Sequence, residues 1–278
     1  MRVPSTDGVE LELHDLGGDG PHVLVAHATG FCAGAYRPFA ARLASHGHHV
    51  WAVDFRAHGD STTPASGDLH WRGMADDVLA AVAAIGRGPV LAYGHSMGGA
   101  ALAMAELERP GTLRRAVFFE PVIVPSDWAH LLDGDNPLAA SARKRRATFG
   151  SRPDALARYA GRPPLGAFRA DVLSAYVEHG FADQADGTIA LKCTPQHEGD
   201  VFEAPGKPTI DSLGAVQTPA QVALGLRDAG RGPTDFAQAV ADALPHGSSH
   251  PYHHIGHFGP FQDPDTLADD AATFFAAG

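Results

Sequence analysis

Apolar positions in the first half of the chain fall into two kinds of segment. Val9, Leu11 and Leu13 alternate with Glu10, Glu12 and His14, a period of two that predicts a half-buried strand over 9–14. The runs 22–28, 48–53, 89–93 and 116–119 are largely apolar without alternation, as strands buried on both faces must be. Between them, 35–45, 74–85 and 97–109 carry apolar residues at helical spacing. Regular alternation of strand and helix predicts an α/β fold, a mostly parallel sheet with helices on both faces. Such sheets gather their chemistry at the carboxyl ends of the strands. His27, Asp54, Ser96 and Glu120 all fall there.

The pattern changes over 124–216, where helical segments dominate and buried-strand signals are few. Asn136 reads as the N-cap of a helix reaching about 149, with further helices over 171–179 and 195–202. Thr194-Pro195 supplies a cap and a proline at the first helical position. The run Arg143-Lys144-Arg145-Arg146 is expected to be a solvated face rather than an anion site. Core signals resume with a strand over 221–225 and a helix over 234–243, followed by a His-rich loop and a last helix over 264–277. The expected division is a core of 1–123 and 217–278 with an inserted, mainly helical cap over 124–216.

Gly94-His95-Ser96-Met97-Gly98 follows the run 89–93 directly and opens the next helix. A strand that turns into a helix through Gly-x-Ser-x-Gly forms a nucleophile elbow. The turn is so tight that the positions two before and two after the serine must be small. It holds the hydroxyl clear of the sheet, with helix N-terminal amides beneath it for a developing anion.

The chain has 278 residues, 44% hydrophobic and 19% charged, with a net charge of −11. That length suits one large α/β domain or a core with an insertion. The negative charge argues against nucleic acid as a partner. Met1 to Asp7 lack the apolar stretch of a secretion signal, and no apolar run approaches a membrane span. The two cysteines, Cys32 and Cys193, lie far apart, so no disulfide framework is expected. These features suit the cytoplasm, and Ala-, Gly- and Arg-rich usage suits a bacterial source.

A serine hydroxyl needs a base, and the base needs an orienting acid. His257, in Gly256-His257-Phe258-Gly259, stands between small residues just before the last helix and is the expected base. Its neighbours His246, His250, His253 and His254 complete no metal-ligand spacing, so neither metal nor organic cofactor is expected. Two carboxylates compete as the acid. Glu120 ends an apolar strand and precedes Pro121, whereas Asp228 sits in the polar loop Arg227-Asp228-Ala229-Gly230. Glu120 is preferred and Asp228 is the alternative. Met97, the residue after the nucleophile, supplies one oxyanion donor.

Four stretches together resemble the α/β-hydrolase superfamily: His27-Ala28-Thr29-Gly30-Phe31, Asp54-Phe55-Arg56-Ala57-His58-Gly59-Asp60-Ser61, the elbow, and Gly256-His257-Phe258. The resemblance covers essentially the whole chain. It points to capped serine hydrolases related to haloalkane dehalogenases and meta-cleavage hydrolases, here with serine as nucleophile. It implies that the loop after His27 supplies the second oxyanion donor. The usual His-Gly there is His27-Ala28, which leaves Thr29, Gly30 and Phe31 open, with Thr29 preferred. Most of the superfamily places the acid where Asp228 lies, and one dehalogenase subgroup places a glutamate where Glu120 lies. His27, Asp54, Arg56 and His58 are expected to hold loops rather than to react. Phe31, Trp71, Trp128 and Tyr176 are candidates to line a pocket under the cap.

The expected activity is cleavage of an ester-like bond (carboxylic ester, thioester or lactone) in a small to medium hydrophobic substrate, through an acyl-enzyme. A C–C bond hydrolase or an acyltransferase would use the same residues, and a ligand-binding receptor on this fold is the non-enzyme alternative. The expected partner is a small molecule, with neither nucleic acid nor membrane, and a homodimer is left open.

Overall fold

The computed structural model describes residues 1–128, 136–228 and 234–277, with Asp228 described by its backbone alone. In chain order the first half runs β1 (Arg2–Pro4), β2 (Glu10–Asp15), β3 (His22–Ala26), α1 (Arg37–Ser45), β4 (His49–Asp54) and α2 (Trp71–Ile85). It continues through β5 (Val90–His95), α3 (Met97–Glu108) and β6 (Leu113–Phe119). The middle holds α4 (Pro137–Ala142), β7 (Thr148–Phe149), α5 (Arg152–Ala160), α6 (Ala170–His179), β8 (Phe181–Asp183), β9 (Ile189–Leu191) and α7 (Pro195–Glu203). The chain then returns through β10 (Ala220–Gly225), α8 (Thr234–Ala243), β11 (Gly247–Tyr252), the short α9 (Gly259–Gln262) and α10 (Pro264–Ala276).

Eight strands form one sheet in the order β1-β2-β4-β3-β5-β6-β10-β11. The pairs β1–β2 and β2–β4 are antiparallel, and every later pair is parallel. Both faces are covered, as the uninterrupted apolar runs require. In β3, Leu24 and Ala26 enter one core cluster with α2 and α3, while Val23 and Val25 enter the other with α1 and α10. Register then decides the site. His95 pairs with Phe119, and Phe119 with Ala223, so the residues that follow β5, β6 and β10 emerge at one edge. Among the described residues, no helix is long and apolar enough to cross a membrane.

Three details depart from the sequence expectations. The segment after α8 is a parallel edge strand, β11, not only a loop. Its residues Gly-Ser-Ser-His-Pro-Tyr are mostly exposed, so no hydrophobic run announces them. The middle region carries a three-stranded sheet, β7-β9-β8, whose strands of two and three residues are too short to show a period. The helix capped by Asn136 stops at Ala142 instead of reaching 149. Four successive cations, Arg143 to Arg146, follow the helix end. Arg143 meets Asp200 and Glu203, while Arg145 turns inward to Glu198. The Thr194 cap forms as expected, its hydroxyl accepting from the His197 amide at 3.1 Å.

Candidate active site

Ser96 lies between β5 and α3 at φ 54, ψ −114, a left-handed conformation that costs a serine roughly 1–3 kcal/mol. The surroundings hold it there. Its amide donates to the Phe119 carbonyl at 2.9 Å, and its carbonyl accepts from Val122 at 3.2 Å. The elbow glycines are sterically required. A Cβ on Gly98 would lie 2.1 Å from the Ala26 carbonyl oxygen, and one on Gly94 would lie 2.6 Å from the Gly99 backbone. Ser96 is 7% exposed. The Met97 amide opens α3, where the first-turn N–H groups have no helical acceptor.

Glu120 follows β6 at φ 41 and is fully buried. Three donors meet its carboxylate. Oε1 accepts from the Gly225 amide and the Thr234 hydroxyl, both at 2.7 Å, and Oε2 meets His257 Nδ1 at 2.7 Å. A carboxylate accepts, so His257 donates from Nδ1, and in the neutral ring the lone pair is then on Nε2. Charge-assisted bonds of this kind are the strong ones, and they offset the cost of burying the carboxylate. The backbone of Asp228 closes a short turn, Leu226–Asp228, after β10; its side chain lies outside the described residues.

Three other histidines are locked as neutral rings. His95 Nε2 faces the His257 carbonyl at 2.8 Å, so it must donate; Nδ1 then accepts from the Tyr36 hydroxyl at 2.8 Å. Tyr36 in turn accepts from the Ala28 amide at 3.1 Å. This chain ties the loop after β3 to the loop that carries His257. His27 donates from Nδ1 to the Ala28 carbonyl at 2.8 Å and accepts from the Phe55 amide at 3.0 Å. His58 donates to the Arg56 carbonyl at 2.9 Å and accepts from the Gly30 amide at 3.1 Å. Burial lowers the pKa of His27 and of His95, and burial followed by the neighbouring His27 takes His58 to about 3.

The same network sorts the loop amides. Ala28 and Gly30 donate to Tyr36 and His58, and Phe31 donates to the Ala28 carbonyl at 3.2 Å. Among the described residues the Thr29 amide makes no hydrogen bond. Asp54 braces this loop by accepting from the Ala33 amide at 2.7 Å, from Asp60 at 3.0 Å and from His14 at 2.9 Å. Arg56 forms a buried two-pronged pair with Asp77 at 2.7 and 2.9 Å.

The four pocket candidates separate. Phe31 borders a cavity of about 330 Å³ together with Phe258. Tyr176 is buried behind the loop, its hydroxyl 2.7 Å from Arg145 and 3.4 Å from the Gly30 carbonyl. Trp71 and Trp128 are corrections. Trp71 is 1% exposed in the opposite core layer and donates to the Val201 carbonyl at 3.0 Å, so it serves packing. Trp128 is 48% exposed, edge-on to Phe236 at 5.2 Å. The basic run is not uniformly solvated either, because Arg145 points inward to Glu198 and Tyr176. Sequence reasoning missed Tyr36, His95 and Thr234. His95 had a signal, a polar residue ending a wholly buried strand; the other two become partners only through packing.

A model described as "Alpha/beta hydrolase family" matches residues 23–270. The chain belongs to this family. It is 38% identical over 71 residues to the sn-1-specific diacylglycerol lipase ABHD11 of Mus musculus, covering 26% of this chain and 22% of that protein. This chain therefore matches only about a fifth of that curated relative's length. Solved α/β-hydrolase structures follow nearly the whole chain at low identity. E-2-(Acetamidomethylene)succinate hydrolase superposes with a TM-score of 0.79 at 20% identity, covering 99% of each chain. The esterase RhEst1 from Rhodococcus sp. ECU1013 gives 0.76 at 18% identity, covering 100% of this chain and 98% of its own. These likenesses share the fold.

Proposed function

We propose that this α/β hydrolase cleaves ester-like bonds with Ser96 as nucleophile, His257 as base and Glu120 as the orienting acid. Ser96 Oγ attacks a substrate carbonyl while His257 Nε2 takes its proton. Glu120 holds the imidazole in the required tautomer and stabilises the imidazolium that forms. The oxyanion is met by the amides of Met97 and Thr29, each donor contributing on the order of 3 kcal/mol to lowering the barrier. Collapse of the tetrahedral intermediate expels the alcohol, which takes the proton back from His257. Water, deprotonated by the same ring, then releases the acid. The elements over 124–216 act as a cap that covers the acyl group.

The observation that carries this reading is the 2.7 Å contact between Glu120 and His257, with the other carboxylate oxygen pinned by Gly225 and Thr234. Such anchoring aims one imidazole lone pair in one direction. The esterase among the structural neighbours agrees with this chemistry. Intact mass after exposure to a fluorophosphonate tests it. One adduct on the parent and none on Ser96→Ala is expected; an unreactive parent, or an adduct that persists in Ser96→Ala, overturns it.

A further inference from the structure

The cavity beside Phe31 and Phe258 has a charge that the protein as a whole lacks. The Phe258 ring lies 5.5 Å from the His257 ring and 6.0 Å from the Phe31 ring, so the cavity that both phenylalanines border lies beside the proposed base. Its wall comes from the segment after α4, from α5 and from the turn beyond α5. Lys144, Arg145, Arg146, Arg158 and Arg162 line it, against one carboxylate, Glu198. That carboxylate is already committed to Arg145, in an ion pair shielded from solvent. Burial also moves the Glu198 pKa up, despite the opposing pull of Arg145. Among the described residues, the side chains of Lys144, Arg158 and Arg162 make neither a hydrogen bond nor an ion pair. A second space of about 630 Å³ continues past Arg162 and Phe258.

A chain with net charge −11 has carboxylates to spare for neutralising surface cations. Leaving three cations open along one concave wall concentrates positive potential where a substrate would enter. Guanidinium groups suit a planar anion that takes two parallel N–H donors.

Resting on the hydrolase reading above, we infer that the substrate carries a carboxylate as well as the scissile bond. The wall of Lys144, Arg158 and Arg162 holds that group while the carbonyl lies between Ser96 and the Thr29 amide. This narrows the substrate from hydrophobic esters to half-esters and related acyl derivatives of dicarboxylic acids.

The test compares 4-nitrophenyl hydrogen glutarate with 4-nitrophenyl pentanoate, which differ at the far end of the acyl chain. The parent is expected to favour the anionic ester in kcat/KM by roughly tenfold or more, the scale of a charge-assisted contact. The preference should shrink in 1 M salt, where screening acts over about 3 Å. In the double variant Arg158→Gln/Arg162→Gln the ratio should fall toward one, mainly through KM for the anionic ester. A ratio near one in the parent, or a preference that survives the double variant, overturns the inference. A binding arm does not need turnover. Monomethyl glutarate and methyl pentanoate are titrated into Ser96→Ala protein, with and without the two Arg substitutions. If the parent cleaves neither ester, the fluorophosphonate adduct decides the hydrolytic reading and binding decides the inference. Glutarate binding that depends on the arginines supports it; no such dependence overturns it.

Discussion

The imidazoles of His27, His58 and His95 use both ring nitrogens inside the fold, whereas the side chains of Lys144, Arg158 and Arg162 use none of their donors among the described residues. Both groups are nitrogen-rich and both border the same loops. The first lies at the carboxyl edge of a sheet buried on both faces, where an unpaired polar atom costs about 1–3 kcal/mol. Every ring there is driven into one tautomer and one direction. The second lies on an exposed wall, where water serves any unpaired donor at little cost. Bond-making chemistry needs the first condition, because a nucleophile and its base must hold their geometry. Attraction of a charged group needs only the second.

The sharpest way to break this comparison is to remove the proposed nucleophile. Ser96→Ala should lower kcat by about 10⁵- to 10⁶-fold in a chromogenic ester assay, with the thermal midpoint little changed. Residual turnover within a hundredfold of the parent would move the chemistry elsewhere. Glu120→Gln should cost about 10³- to 10⁴-fold in kcat, because the neutral amide neither fixes the tautomer nor stabilises the imidazolium. Asp228→Asn should stay within a few-fold of the parent in the same assay. The reverse ranking would make Asp228 the acid.

A milder change sharpens the rigid side of the comparison. Tyr36→Phe removes the hydroxyl between Ala28 and His95, leaving a buried amide without an acceptor and a ring nitrogen without a donor. A loss of about 1–3 kcal/mol in stability is expected from chemical denaturation. A fall of roughly tenfold in kcat should accompany it, since the loops that carry the proposed donor and base lose their link. Unchanged kinetics would show that the two loops are held independently.

The smallest effect concerns acid. His58 is held neutral, with its pKa at about 3 against 6.5 when unfolded. Between those values the unfolded chain binds the extra proton, so acidification favours unfolding. The stabilisation is complete above about 6.5 and is lost progressively toward 3. His27 and His95, also lowered by burial, act in the same direction. The thermal midpoint should drop by several degrees from pH 7 to pH 5, and His58→Gln should show a shallower slope over that range. An identical slope would assign the acid sensitivity to other groups.

Much of this protein was legible in the order of its residues. Unbroken apolar runs give strands buried on both faces whatever the neighbours are, and a Gly-x-Ser-x-Gly turn permits few shapes. Helix caps such as Thr194-Pro195 act within four residues, so they too could be read locally. Pairing across long separations could not. The strand β11 owes its place to hydrogen bonds with β10, because its own residues carry no apolar signal. The competition between Glu120 and Asp228 was undecidable from spacing, since both follow strands that end at the same edge. Packing brought Thr234 and Gly225 onto Glu120 and left its second oxygen to His257. Likewise, four adjacent cations read as one solvated face until the fold turned Arg145 inward and set Lys144 along a cavity wall with Arg158 and Arg162. Short-range sterics and capping are written in consecutive residues. The burial and direction of a polar side chain depend on which distant surfaces meet, and only the tertiary structure decides that.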